Sequence, residues 1–190
     1  DTYDIERRQA ADENITASTR STDFISPKGP GAMLLRDSVL ALARREPFAR
    51  RLLNSGRLST PTTYDGSPLN SPDEMPDGPA ALRPGAPAID APLEPADGGG
   101  YLLDRLGCGF TVLRLGSASL DERPAGPDGE REQPKSMSLR GSPAALQRYG
   151  AETSARTYLF RPDQHIAARW AHSDAPAIAA ALRRALGGGI

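Results

Sequence analysis

Several things are scarce in this chain, and each scarcity removes a class of protein. There is one cysteine, Cys108, so an intrachain disulfide framework and any Cys-x-x-Cys redox or zinc motif are excluded. There are two histidines, His165 and His172, with no His-x-x-x-His spacing or acidic cluster beside them, so no metal site is predicted. Basic residues do not exceed acidic ones, the formal net charge being −1, and this argues against a nucleic-acid partner. No apolar run approaches the roughly 20 residues that span a bilayer, so no membrane partner is predicted. Aromatics make up 5% of the chain and hydrophobic residues 38%, too few for a uniformly packed body. Neither Gly-x-Gly-x-x-Gly nor Gly-x-Ser-x-Gly occurs, which leaves no dinucleotide cradle and no nucleophile elbow.

What is plentiful is glycine and proline, 19 and 18 residues, and they punctuate the chain. Tyr3 to about Ser18 lacks both and reads as a polar helix with a thin apolar side of Tyr3, Ile5, Ala11 and Ile15. Met33 to Asn54 is helical, with Leu34, Leu35, Val39, Leu42 and Ala43 at helical spacing and a break expected at Pro47. Arg44, Arg45, Arg50, Arg51 and Arg57 cluster beside it; a solvated or internally paired face is the simpler reading, an acidic partner surface the other. Gly56 to Gly100 has little periodicity and is expected to be a connector lying over a surface. Within it, Ala86 to Leu93 is flanked by prolines that restrict it to an extended or edge piece.

The C-terminal half carries the regular pattern. A short helix at Tyr101–Leu106 ends at Gly107, and Phe110 to Leu115 is a core strand. Ser117 to Lys135 is polar and treated as a loop, and Ser136 to Leu139 is a second strand. Ser142 caps, Pro143 starts and Gly150 stops a helix. Two strands follow around the turn Arg161-Pro162-Asp163-Gln164, with Tyr158 and Phe160 on one face. Ile166, Ala168 and Trp170 share another face, with His165 and Arg169 opposite. A last helix is capped by Ser173 or Asp174, lined by Ile178, Leu182, Ala185 and Leu186, and ended by Gly187. Hairpin then helix is the closing half of a thioredoxin-type domain, a spacing that other α+β closures also allow.

Two stretches carry a family resemblance. Tyr158-Leu159-Phe160-Arg161-Pro162-Asp163-Gln164-His165-Ile166-Ala167-Ala168-Arg169-Trp170 resembles the C-terminal end of the FAD-dependent aromatic-ring hydroxylases of the phenol and 3-(3-hydroxyphenyl)propionate hydroxylase type. Tyr3-Asp4-Ile5-Glu6-Arg7-Arg8, running on to Phe24, is similar to the segment that closes the flavin domain of the same enzymes. The resemblance implies an α/β chain with three parts. Residues 1–56 would be the helical end of an FAD-binding domain, 57–100 a Pro/Gly-rich connector, and 101–190 a degenerate thioredoxin-like domain with a polar loop at 117–135. It implies a cytoplasmic parent enzyme that hydroxylates phenolic rings with FAD, NAD(P)H and O₂. The remainder of that enzyme would be the partner, and a homodimer is an option.

The flavin and nucleotide contacts of the family have no matching positions here, so no catalytic, cofactor-binding or metal-ligating residue is assigned and no FAD is expected on this chain alone. The acidic start at Asp1, without Met, is in keeping with a fragment. Two other readings stay open: a free-standing thioredoxin-fold binding module, and a one-Cys thiol peroxidase. Against the latter, Cys108 precedes the strand instead of opening a helix after it, and is expected to be a buried or half-buried small apolar residue. His165 is expected at the surface or rim. The pairs Asp12-Glu13 and Asp121-Glu122 are expected to be solvated, and Trp170 to be a core or interface anchor.

Overall fold

The computed structural model describes residues 2–53, 59–116 and 133–188. It resolves into two compact units, residues 3–62 and 63–190.

The first unit is helical. Helix α1, Thr2–Ile25, runs seven residues past the expected Ser18, because nothing before Pro27 breaks it: Ser26 N–H still donates to Thr22 O at 2.8 Å. Its surface is tied by local pairs, Arg8 to Asp4 at 3.0 Å and Gln9 to Glu13 at 3.2 Å. Helix α2, Pro30–Ala43, has its proline in the first turn, and helix α3, Pro47–Leu53, restarts at the expected break. Of the arginine cluster, Arg50 Nε donates to Ala43 O at 2.9 Å and so closes the end of α2, while Arg44 and Arg45 are exposed. Arg57 and the Arg51 side chain lie outside the described residues.

The second unit is built on a four-stranded sheet in the order β2-β1-β3-β4, with β1 Thr111–Leu115, β2 Lys135–Leu139, β3 Arg156–Phe160 and β4 Ile166–Trp170. Strands β1 and β2 are parallel; β1 with β3, and β3 with β4, are antiparallel. Lys135, counted at the end of the polar loop, opens β2; the rest of that loop through 132, Asp121 and Glu122 included, lies outside the described residues.

Both faces of the sheet are covered. One carries Leu113, Leu115, Tyr158, Phe160 and Ile166 under the short helix α4, Leu102–Leu106, and helix α5, Pro143–Tyr149. The other carries Val112, Leu159, Ala167, Ala168 and Trp170 under helix α6, Ala175–Ala185. Trp170 is buried there, in keeping with its expected role as an anchor. The caps are those the sequence signals: Ser142 Oγ accepts from Ala145 N at 3.1 Å and an Asp174 carboxylate oxygen from Ala177 N at 2.8 Å. Ala181 takes the buried place expected of Leu186, which is exposed beyond the last turn of α6.

Strand β4 departs from simple alternation. Leu159 faces Ala168 but Phe160 faces Ile166, so β4 holds one extra residue, Ala167. This bulge turns Ile166 onto the face of Phe160, away from Ala168 and Trp170 with which it was expected to lie.

The segment expected to lie over a surface as a connector is packed against the sheet. From Thr63 onward it belongs to the same compact unit as the sheet, and it buries Met75, Leu82, Ala91 and Leu93 in the core. It also runs along the outer edge of β4. Ser71 N donates to Ala167 O at 2.8 Å, Gly85 N to Ile166 O at 2.7 Å, Ile166 N to Ala86 O at 2.9 Å and Ala88 N to Gln164 O at 2.9 Å. Backbone groups that an edge strand would leave open are thereby paired. Gly85 makes the approach possible: its φ is +92°, and a Cβ there would stand 2.4 Å from Tyr64 O.

Candidate functional site

Polar side chains converge at two places in the second unit, one where the covering segment meets β4 and one where it meets the turn between β3 and β4. At the first, Arg169, 2% exposed, lies on the face of Tyr158. Its Nε and Nη2 donate to the two carboxylate oxygens of Asp73 at 2.8 and 2.6 Å, and its Nη1 donates to Pro79 O at 2.7 Å. The fork geometry neutralises the guanidinium and uses three of its donors. The hydrogen bond from Arg169 lowers the Asp73 pKa, against an opposing push from burial.

The second cluster surrounds the hairpin turn. Gln164 N donates to Arg161 O at 2.9 Å, and Gln164 sits at φ 62°, the left-handed position that ends a three-residue hairpin loop. Arg161 Nη2 donates to Asp163 Oδ2 at 2.8 Å, His165 N donates to Asp163 Oδ1 at 3.2 Å, and His165 Nδ1 lies 3.4 Å from the same oxygen. The Tyr64 ring covers this group, 4.7 Å from the His165 ring and 5.9 Å from the Arg161 guanidinium. Burial pushes the Asp163 pKa up, but the hydrogen bond from His165 and the Arg161 charge outweigh it and hold the carboxyl at about 2.

His165 is therefore buried, not at the rim, because Tyr64 and the edge-covering backbone lie over it. His172 is exposed. Cys108 is also exposed, contrary to expectation: it stands in the turn between α4 and β1, where Gly107 leaves the helix with positive φ. The thiol thus follows a helix C-terminus instead of opening a helix.

Two tyrosines pair deeper in the core. Tyr149 Oη donates to Ile89 O at 2.7 Å and Tyr158 Oη to Tyr149 O at 2.6 Å, with the rings edge to face at 5.2 Å. Burial raises both phenol pKa values, that of Tyr158 to about 12, so both serve as donors. An open groove of about 330 Å³ is lined by Ser67, Asn70, Asp73, Arg83 and Arg184. In it Arg83 is tied to Asp65 at 2.6 and 2.7 Å.

The glycines do not form a flavin cradle. Gly98-Gly99-Gly100 follows a 3₁₀ turn, Pro95–Asp97, instead of a strand, and Arg105 Nη2 donates to Gly98 O at 2.6 Å. Gly107 and Gly109 precede β1 instead of following it. Among the described residues, these glycines do not make the strand–glycine–helix cradle of a dinucleotide site. Among the described residues no group of three or more His, Cys, Asp or Glu could hold a metal ion, and no helix is long and apolar enough to cross a membrane. Sequence reasoning assigned no site residue. The Arg169–Asp73 tie escaped it because the partners are 96 residues apart.

Fold and sites together define a mixed α/β chain in which buried ion pairs and tyrosine hydrogen bonds hold the packing together. No family model and no curated protein matches the sequence. Among solved structures, 99% of the chain matches the rebeccamycin biosynthetic enzyme RebC with reduced flavin, at 22% identity and a TM-score of 0.62, over 36% of that chain. RebC soaked with chromopyrrolic acid, with bound 7-carboxy-K252c, matches over the same shares at 24% identity and a TM-score of 0.65. A looser likeness, at 18% identity and a TM-score of 0.46, is to the flavin-dependent monooxygenase PieE in complex with FAD and substrate, over 95% of this chain and 38% of that one. At these identities the likeness to RebC is one of fold, and the present chain spans little more than a third of RebC's length.

Proposed function

We propose that this chain is the part of an FAD-dependent aromatic-ring hydroxylase that closes the flavin domain and adds a thioredoxin-like domain. The reaction, hydroxylation of a phenolic or related ring with NAD(P)H and O₂, takes place on residues outside this chain. The chain itself serves packing and holds no flavin. The observation that carries this reading is the likeness to RebC, a flavin-containing protein, which covers 99% of the chain. The strand order β2-β1-β3-β4, a parallel pair followed by an antiparallel hairpin and a closing helix, supports the thioredoxin-like assignment.

The test is on the complete product of the gene. Stoichiometric flavin absorbance, and NAD(P)H oxidation stimulated by a phenolic compound, are expected. A complete product without flavin, or a 190-residue chain that takes up FAD stoichiometrically by itself, would overturn the reading. A thiol peroxidase gains the exposure of Cys108 but not its placement, since the thiol follows α4 and precedes β1.

A further inference from the structure

Strand β4 stands at the end of the sheet with none of the features that keep an edge from pairing with another chain. All five of its residues, Ile166–Trp170, are buried, and none is proline or lysine. Its one charge, Arg169, is neutralised by Asp73 of the covering segment. That segment, residues 63–88, has what β4 lacks. It contains Pro68, Pro72, Pro76, Pro79, Pro84 and Pro87, and its acidic residues, Asp65, Asp73, Glu74 and Asp77, outnumber its single Arg83. It lies on β4 in two runs: residues 86–88 are antiparallel to 164–166, and residues 71–74 lie beside 167–170, with a parallel bridge between Glu74 and Trp170.

The phase of these runs decides what faces outward. Successive residues of an extended chain turn their backbone groups to opposite sides. Ala86 O and Ala88 N are both turned to β4, so the nitrogen between them, that of Pro87, is turned away, and it has no hydrogen to donate. In the other run Ser71 N is turned to Ala167 O, and the next nitrogen is that of Pro72. Glu74 and Asp77 are exposed and would repel the same segment of a second copy. We infer that residues 63–88, seated through Gly85, are a built-in guard against self-association. They occupy the place that β4 of a second copy would take, antiparallel across a two-fold axis, and they end the ladder in prolines. This role is independent of the flavin chemistry proposed above and goes beyond it.

Substitution at Gly85 tests it, because a Cβ there meets Tyr64 O at 2.4 Å and a φ of +92° is strained for any side chain. In the 190-residue chain, G85A and G85V are compared with the parent by hydrogen exchange of the β4 amides and by sedimentation velocity, at low and high protein concentration. L182A, which empties a site between α6 and the sheet but leaves the segment seated, is the destabilised control. Near-ultraviolet circular dichroism reports whether each variant keeps its tertiary structure. In folded Gly85 variants the β4 amides are expected to exchange at least about tenfold faster than the parent's at about 1 μM, and to regain protection, with a rise in mass, at about 200 μM. The parent and L182A are expected to show no such concentration dependence in β4. Folded Gly85 variants whose β4 amides exchange fast at every concentration would overturn the inference, since the open edge then does not pair. Amides as slow as the parent's at the low concentration would also overturn it, since the segment is then not seated through Gly85. The same concentration dependence in L182A would trace the effect to lost stability and sink the inference. Loss of the sheet in both Gly85 variants would make the segment a layer of the core instead of a guard, and would overturn it as well.

Discussion

Removing Asp73 should damage the sheet unit more than removing Arg169, although Arg169 is the deeper residue. In Asp73→Ala the guanidinium stays buried and keeps only its bond to Pro79 O. Stripping one partner from a fully buried pair costs about 3–5 kcal/mol. Here the Asp73 side chain is 32% exposed, so water reaches the cavity left behind and we expect about 2–3 kcal/mol. In Arg169→Met the apolar stem is kept and the carboxylate left behind can hydrate, so about 1–2 kcal/mol is expected. The double variant should then be less damaging than the sum of the two.

Urea unfolding followed by fluorescence suits this comparison, because Trp170 is the only tryptophan, is buried, and directly follows Arg169 in β4. With a slope of about 1–3 kcal/mol per molar urea, Asp73→Ala should lower the midpoint by about 1 M or more. A midpoint unchanged in Asp73→Ala, Arg169→Met the worse of the two, or strict additivity would each refute the reasoning.

Asp163 predicts an acid transition. Its carboxyl is depressed from 3.8 to about 2, so its contribution is complete above about pH 4 and is lost as pH falls toward 2. That contribution is of order 2 kcal/mol, and Asp163→Asn should flatten the dependence of the urea midpoint on pH across this window. Trp170→Ala empties a site against α6 and should cost about 3–5 kcal/mol, read by circular dichroism melting. Cys108 should react with a thiol reagent in the folded chain nearly as fast as in the unfolded one, and Cys108→Ser should change stability by less than about 0.5 kcal/mol.

Local chemistry made much of the second unit legible in the residues themselves. Pro143 between Ser142 and Gly150 delimits α5, the Arg161–Gln164 turn sets the hairpin, and Phe110 to Leu115 reads as a strand from its β-branched and aromatic residues and bounding glycines, one residue longer than β1. Each of these signals lies within a few residues of the element it specifies. What stayed hidden depends on partners far along the chain. The segment from Thr63 to Ala88 has no periodicity because it is held by backbone hydrogen bonds to the edge of β4, and those leave no pattern in side chains. The burial of His165 under Tyr64, the pairing of Arg169 with Asp73, and the bulge at Ala167 that turns Ile166 to the other face follow from that same packing. The helical spacing of α2 was visible in the residues, but that Met33 and Leu42 stay exposed emerged only in three dimensions. Propensity and capping act through neighbours in sequence, whereas burial is decided by whatever the folded chain brings alongside.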